Sequence, residues 1–174
     1  MVRYLLGFVM AASTVAYMSA QTPKPYIIIN TIDIKNAPNN NWFGTWKGVI
    51  ESGGEILSVD SPVLRDLPDD TMIAVIVELS GQVVLDFKST VCDALEDESF
   101  GKEIVKYAEP KGQFPEECPF IKGEDFKIKK YEIPQDKLPQ NTQPGAMHAE
   151  VKIYTVSEDD PEIFLVADGE IILK

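Results

Sequence analysis

The residues of this 174-residue sequence that could do chemistry are few and scattered. Its single histidine, His148, alternates with apolar neighbours and lies on the side of that segment where the polar residues fall. A catalytic histidine needs a nucleophile or a second base, and the sequence contains no GxSxG, HExxH, P-loop or dinucleotide-binding motif. The sequence therefore predicts a protein that is not an enzyme.

The acidic residues are numerous, but they are not spaced as metal ligands. Residues 96–98 and 158–160 are consecutive carboxylates, whereas a calcium loop uses alternate positions. No Cys-x-x-Cys pair suggests a zinc site. A hydrolase that uses two carboxylates stays a third and less favoured alternative. We predict no metal site and no cofactor.

The charge balance excludes several partners. The chain has 28 acidic and 16 basic residues, and its net charge is −12. Nucleic acids and anionic lipid surfaces would be repelled by such a protein. We therefore expect no nucleic-acid partner. No stable membrane insertion is expected either, because no segment after the first twenty residues is long and apolar enough to span a bilayer.

Residues 1–20 are predicted to be a secretory signal peptide, and residues 21–174 a single domain. Arg3 precedes a long apolar stretch. Cleavage after Ala20 would follow the small pair Ser19-Ala20 but place the bulky Met18 three residues before the cut, whereas cleavage after Ala16 would place Thr14 there. A membrane anchor is the less favoured alternative. The predicted location is extracellular.

Secretion would place Cys92 and Cys118 in an oxidising compartment, where two cysteines of one chain usually pair. Their disulfide would close a loop of about 26 residues and contribute on the order of 3 kcal/mol. It is predicted to bracket one short amphipathic helix beginning near Glu98 or Ser99, because apolar residues recur there every three to four positions.

Elsewhere the sequence alternates apolar and polar residues in short runs separated by turn residues, which predicts strands and hairpins. In the first run, Tyr26, Ile28, Ile32 and Ile34 are expected to share one face. Seven to nine such runs and one helix predict an all-β fold, a two-sheet antiparallel β-sandwich.

The stretch from Cys118-Pro119 through the Lys122-Gly123 turn to Tyr131 carries a family resemblance. With the following Leu-Pro and Pro-Gly connection and the alternating strand at 149–154, it resembles the MD-2-related lipid-recognition proteins. The arthropod secreted members grouped with GM2-activator and CheB-type proteins are the most similar group. The resemblance spans roughly residues 83–173. It implies an immunoglobulin-like sandwich without catalytic residues that holds a lipid between its sheets.

We therefore expect a secreted, non-enzymatic protein that binds a lipid or another apolar small molecule. Inward-facing apolar residues are expected to line its pocket: Val83, Leu85, Phe87, Phe100, Ile104, Tyr107, Phe120, Phe126, Ile128, Val151, Ile153 and Phe164. The alternative is an extracellular interaction module with a filled core, whose loops, including Asn36 to Trp46, bind a receptor or an enzyme.

Overall fold

We describe the fold from a computed structural model, which covers residues 23–98, 101–109, 120–123, 125–138 and 141–174. These residues form nine strands: β1 Pro25–Asn36, β2 Lys47–Glu51, β3 Ile56–Pro62, β4 Met72–Leu79, β5 Gln82–Thr90, β6 Ala108–Glu109, β7 Asp125–Glu132, β8 Gly145–Tyr154 and β9 Ile163–Leu173. One sheet has the order β1-β9-β8-β4-β5 and the other β2-β3-β7-β6, with antiparallel pairing throughout. The predicted all-β, two-sheet antiparallel sandwich is confirmed.

Two tight turns join consecutive strands as the sequence predicts. Ser80 and Gly81 connect β4 to β5, and both have positive φ angles of 51° and 78°. That geometry matches the right-handed twist of paired strands. The 3-10 turn Ser52–Gly54 connects β2 to β3, and its Gly53 also has a positive φ, of 67°.

Two short helices follow β5, where the sequence predicts one. Helix α2, Gly101–Val105, lies inside the predicted region between the cysteines. Helix α1, Val91–Glu96, begins earlier and contains Cys92. It can begin there because the Thr90 side chain accepts a hydrogen bond from the Asp93 N–H at 3.1 Å, which caps the helix. No helix among the described residues is long and apolar enough to cross a membrane.

The buried apolar residues form two clusters rather than one continuous layer. The first core cluster lies where β8 ends and contains Phe43, Val63, Leu67, Val91, Ala108, Phe120, Phe126, Ile153 and Ile163. The second core cluster lies at the opposite end of the sandwich, where β8 begins, and contains Ile29, Met147 and Ala167.

A β-bulge in β1 changes which of its residues face the core. The pairing of β1 with β9 shifts between Ile29 and Thr31, so one extra residue breaks the alternation. The expectation that Tyr26 and Ile28 face the same way as the later isoleucines of this strand is wrong. Instead, Ile29 belongs to the second core cluster and Ile27 packs against it.

Candidate ligand site between the sheets

A row of five apolar residues crosses the middle of the five-stranded sheet on its inner face. The register aligns one residue from each strand, and we call this set the central row: Ile34, Leu165, Val151, Val75 and Phe87. All five are only partly buried. Three of them lie on β9, β8 and β4, the inner strands of the sheet, where a filled sandwich would exclude water best. Solvent therefore reaches the inner face at its centre.

Side chains nearer the two ends of the inner face are buried more completely, although Ile32, Ala149 and Val77, in the next row toward the start of β8, are also only partly buried. Ile163 and Ile153 are 0% and 6% exposed in the first core cluster, and Met147 and Ile29 are 6% and 8% exposed in the second. The inner face is thus packed toward both ends and open to solvent between them.

The opposite sheet presents Ile128 and Tyr131 to this middle region. The pairing of β3 with β7 shifts between Leu57 and Val59, and the extra residue, Lys130, has a φ of 53°. Its N–H donates a hydrogen bond to the Ser58 Oγ at 3.0 Å. Because the bulge breaks the alternation, Tyr131 faces inward after Ile128 rather than outward.

Tyr131 was not among the predicted pocket residues. Strict alternation from Phe126 places residue 131 on the charged outer face, with Lys127 and Lys129. The sequence does contain one sign of the bulge, because Lys129 and Lys130 are consecutive charged residues in an otherwise alternating strand.

Tyr131 also lines a cleft of about 400 Å³ beside α2 and the end of β7. Its ring meets that of Tyr107 edge to face, with centroids 5.4 Å apart and an interplanar angle of 87°. The lining residues are Glu103, Tyr107, Tyr131, Glu132, Ile133, Pro134, Gln135 and Asp136.

One wall of this cleft is tied to the far sheet by Gln135. Its side-chain oxygen accepts a hydrogen bond from the Ile27 N–H at 2.7 Å, and its amide group donates to the Ile27 oxygen at 3.1 Å. Ile133 packs against the second core cluster. These contacts fix the segment after β7 in place, so the cleft has a defined shape.

The cleft disfavours additional negative charge. Burial raises the pKa of the Tyr131 hydroxyl above its usual value. Electrostatic interactions with Glu103 and Tyr107 raise it further. Tyr131 is therefore a neutral phenol at physiological pH, and its ring and hydroxyl can contact a ligand without adding charge.

The predicted pocket residues that the structure describes fall into three groups. Phe87 and Val151 belong to the central row, and three more are half-buried: Ile104 in α2, Tyr107 in the turn between α2 and β6, and Ile128 in the second sheet. A different group fills the first core cluster: Phe120, Phe126 and Ile153. The rings of Phe120 and Phe126 stack edge to face at 5.5 Å, so they pack against each other.

The remaining three lie away from the inner face or at its edge. Phe164 alternates with the inward-facing Ile163 and lies on the outer face, where the Lys152 Nζ is 5.7 Å from its ring centroid. A bulge in the β4–β5 hairpin pairs Val83 with Glu78 of the outer face, and Val83 is 57% exposed. Leu85 stays on the inner face but is 38% exposed on an edge strand.

Three of the predicted residues lie outside the described part of the chain: Phe100 of the pocket, and Cys118 and Pro119 of the motif. Cys92 lies in α1. The Cys92–Cys118 disulfide therefore stays a prediction. Gly123, which is described, has the positive φ of 84° that the predicted turn requires, and its N–H donates to the Val63 oxygen at 2.9 Å.

His148 lies on the outer face of the five-stranded sheet, as its alternation predicts. Its Nδ1 is 2.7 Å from the Asp168 Oδ1, and its Nε2 is 3.4 Å from the Glu150 Oε1. Among the residues that the structure describes, no hydroxyl or thiol group hydrogen-bonds to this ring. Within the described ranges, no group of three or more His, Cys, Asp or Glu side chains could hold a metal ion.

The aromatic residues of the loop between β1 and β2 pack in or against the first core cluster. Phe43 is 4% exposed and meets the Trp46 ring edge to face at 5.6 Å, while Trp42 and Trp46 pack against the first core cluster. The Asn40 Oδ1 accepts hydrogen bonds from the N–H groups of Trp42 and Phe43 at 2.9 and 3.0 Å. This loop is thus a structured part of the packing.

Comparison with known proteins adds no assignment: no family model matches the chain, and no curated protein matches it. The fold and the geometry between the sheets define an antiparallel β-sandwich with a candidate site for an apolar ligand. The likeness to the MD-2-related proteins stays a hypothesis that rests on the residues quoted for it.

Proposed function

We propose that this chain is a non-enzymatic binding protein that holds a lipid or another apolar small molecule between its two sheets. The central row is the observation that supports this proposal. Its five apolar side chains face the second sheet and yet keep solvent contact. An apolar ligand placed there would remove both its own surface and theirs from water, at about 0.8 kcal/mol for each buried methylene group.

The rival proposal is an interaction module with a filled core. It is weakened by the central row and by the loop of residues 36–46, whose aromatic residues are used in packing. A receptor or an enzyme could still receive the ligand from this protein, as a carrier or presenter would require.

Ligand uptake tests the proposal directly. Delipidated protein should bind fatty acids, fatty alcohols or hydrocarbons, measured by displacement of a fluorescent apolar probe. An organic extract of the protein as purified from its expression host should contain a bound lipid by mass spectrometry. If the extract is empty and no apolar compound displaces the probe, the chain is not a carrier of this kind.

A matched pair of variants locates the binding. Val151 lies in the central row, whereas Val166 lies in the middle of the neighbouring strand on the outer face, opposite Glu150. Val151→Phe should fill part of the space between the sheets and weaken binding of a long-chain ligand, because it removes room for several methylene groups. Val166→Phe, with the same change in size, should leave the affinity unchanged. Equal effects of the two variants would place the ligand elsewhere.

Secretion and the disulfide belong to the same proposal. When the whole chain is expressed in eukaryotic cells, we expect it in the medium, and N-terminal sequencing should begin after Ala16 or Ala20. The secreted protein should gain two alkyl groups only after reduction, since Cys92 and Cys118 are the two cysteines of the sequence. Retention in the cells, or alkylation without reduction, would contradict this part.

A further inference from the structure

The cleft beside α2 differs in chemistry from the central row. It combines two tyrosine rings with three carboxylates, those of Glu103, Glu132 and Asp136. Among the described residues that line it there is no lysine or arginine. From this combination we propose that the cleft binds an organic ammonium group, and that the ligand of this protein is a cationic amphiphile whose apolar chain lies between the sheets. The claim that the apolar chain lies between the sheets rests on the proposed function.

The aromatic pair supplies the first argument. Tyr107 and Tyr131 both line the cleft, and their rings are nearly perpendicular with centroids 5.4 Å apart. The face of an aromatic ring attracts an alkylated ammonium ion, and perpendicular rings are the arrangement that aromatic cages use. Burial raises the Tyr131 pKa still further above physiological pH, so this residue contacts a ligand as a neutral phenol.

The carboxylates supply the second argument. Glu103 forms an ion pair with Lys106 at 2.7 Å, but no ion pair joins Glu132 or Asp136 to any described residue. Both lie on the exposed rim of the cleft. Their charges therefore act on whatever enters it. A carboxylate or phosphate group would be repelled there, in a chain that already has a net charge of −12.

Continuity with the inner face supplies the third argument. Tyr131 pairs with Leu57 and follows Ile128 on the inner face of the second sheet, and it also lines the cleft. Ile133, which lines the cleft, packs against the second core cluster. A ligand with its head beside Tyr131 can thus extend its chain toward the central row. The cleft volume of about 400 Å³ is in the range of small-molecule sites.

Three compounds with the same chain test the proposal by calorimetric titration: dodecyltrimethylammonium and dodecanoate, each below its micelle concentration, and dodecanol below its solubility limit. We expect the ammonium compound to bind most tightly and its affinity alone to fall with added salt. Butyltrimethylammonium serves as a head group with almost no chain.

The outcomes separate the two proposals. If all three dodecyl compounds bind equally, or dodecanoate binds best, the ammonium site is refuted and the carrier function stands. If butyltrimethylammonium binds while a longer chain adds no affinity, the ammonium site stands and the site between the sheets is refuted. If nothing binds, both are refuted.

Variants assign the preference to the cleft. The double variant Glu132→Gln/Asp136→Asn should weaken dodecyltrimethylammonium binding by about threefold to tenfold, with dodecanol unaffected. The control Asp86→Asn/Glu170→Gln removes two exposed carboxylates of the outer face and changes the net charge equally. An equal loss in the control would show that general charge, not the cleft, attracts the ligand, and would overturn the proposal.

Discussion

The outer face of the five-stranded sheet places the one histidine of the chain among carboxylates. Asp168 and Glu150 both contact the His148 ring, and Glu78 is its register partner on β4. The hydrogen bond to Asp168 is the largest cause that raises the pKa of His148 above its usual value, and the hydrogen bond to Glu150 raises it further. The arrangement favours the protonated ring, which suits a surface group more than a catalytic base working near neutral pH.

This shift predicts a pH dependence of stability. Because the folded-state pKa of His148 exceeds that of an unfolded chain, about 6.5, its stabilising contribution is complete below that pH and disappears as the pH rises through the folded value. NMR titration should give one imidazole signal with a raised pKa, and Asp168→Asn should lower it. The difference in unfolding free energy between wild type and His148→Gln should shrink from pH 6 to pH 9. A His148 pKa at or below 6.5 would contradict the prediction.

At the scale of elements, β-bulges decide which side chains face the core. One lies in β1 opposite β9, one in the β4–β5 pair and one in β7. Each shifts the side-chain alternation by one residue from that point. Gly169 of β9 lies across from the bulge in β1, and the β1 backbone approaches it closely.

A side chain at Gly169 should not be tolerated there. Its Cβ would lie 2.2 Å from the Ile28 backbone oxygen, so β1 and β9 would have to move apart. We expect Gly169→Ala to lower the unfolding free energy by about 1–3 kcal/mol or more in urea denaturation. Gly53→Ala is the control, since nothing lies within 4 Å of its Cβ and only its positive φ opposes the change, at about 1 kcal/mol. Equal losses would mean that β1 and β9 adjust freely.

At the scale of the whole molecule, packing at the two ends and openness between them distinguish this sandwich from a filled one. The first core cluster contains Val63, which is 3% exposed. Val75, in the central row, belongs to neither cluster and stays partly exposed. Valine therefore occurs in two environments, and shortening it to alanine should lower the unfolding free energy by different amounts in the two.

This contrast predicts unequal stability losses. Val63→Ala should lower the unfolding free energy by about 2 kcal/mol, because it removes buried methyl groups and leaves a void. Val75→Ala should lower it by less than about 1 kcal/mol, since those methyl groups already contact solvent. Thermal unfolding of wild type should also shift upward with a saturating apolar ligand. A Val75 loss equal to that of Val63 would indicate a closed core.

The sequence by itself determined the strands, the hairpin turns, the outward position of His148 and the two-sheet class, because alternation and turn chemistry are local properties. It also singled out Phe87, Ile128 and Val151 as inward-facing residues that the structure leaves half-buried. Only the tertiary structure decided that Tyr131 faces inward, that Phe164 does not, and that Phe126 fills a core cluster. The facing of Tyr131 depends on the register between β3 and β7, where one extra residue in a bulge reverses the facing of every residue beyond it. The places of Phe164 and Phe126 depend on which face of each strand the other sheet covers, which alternation alone leaves open.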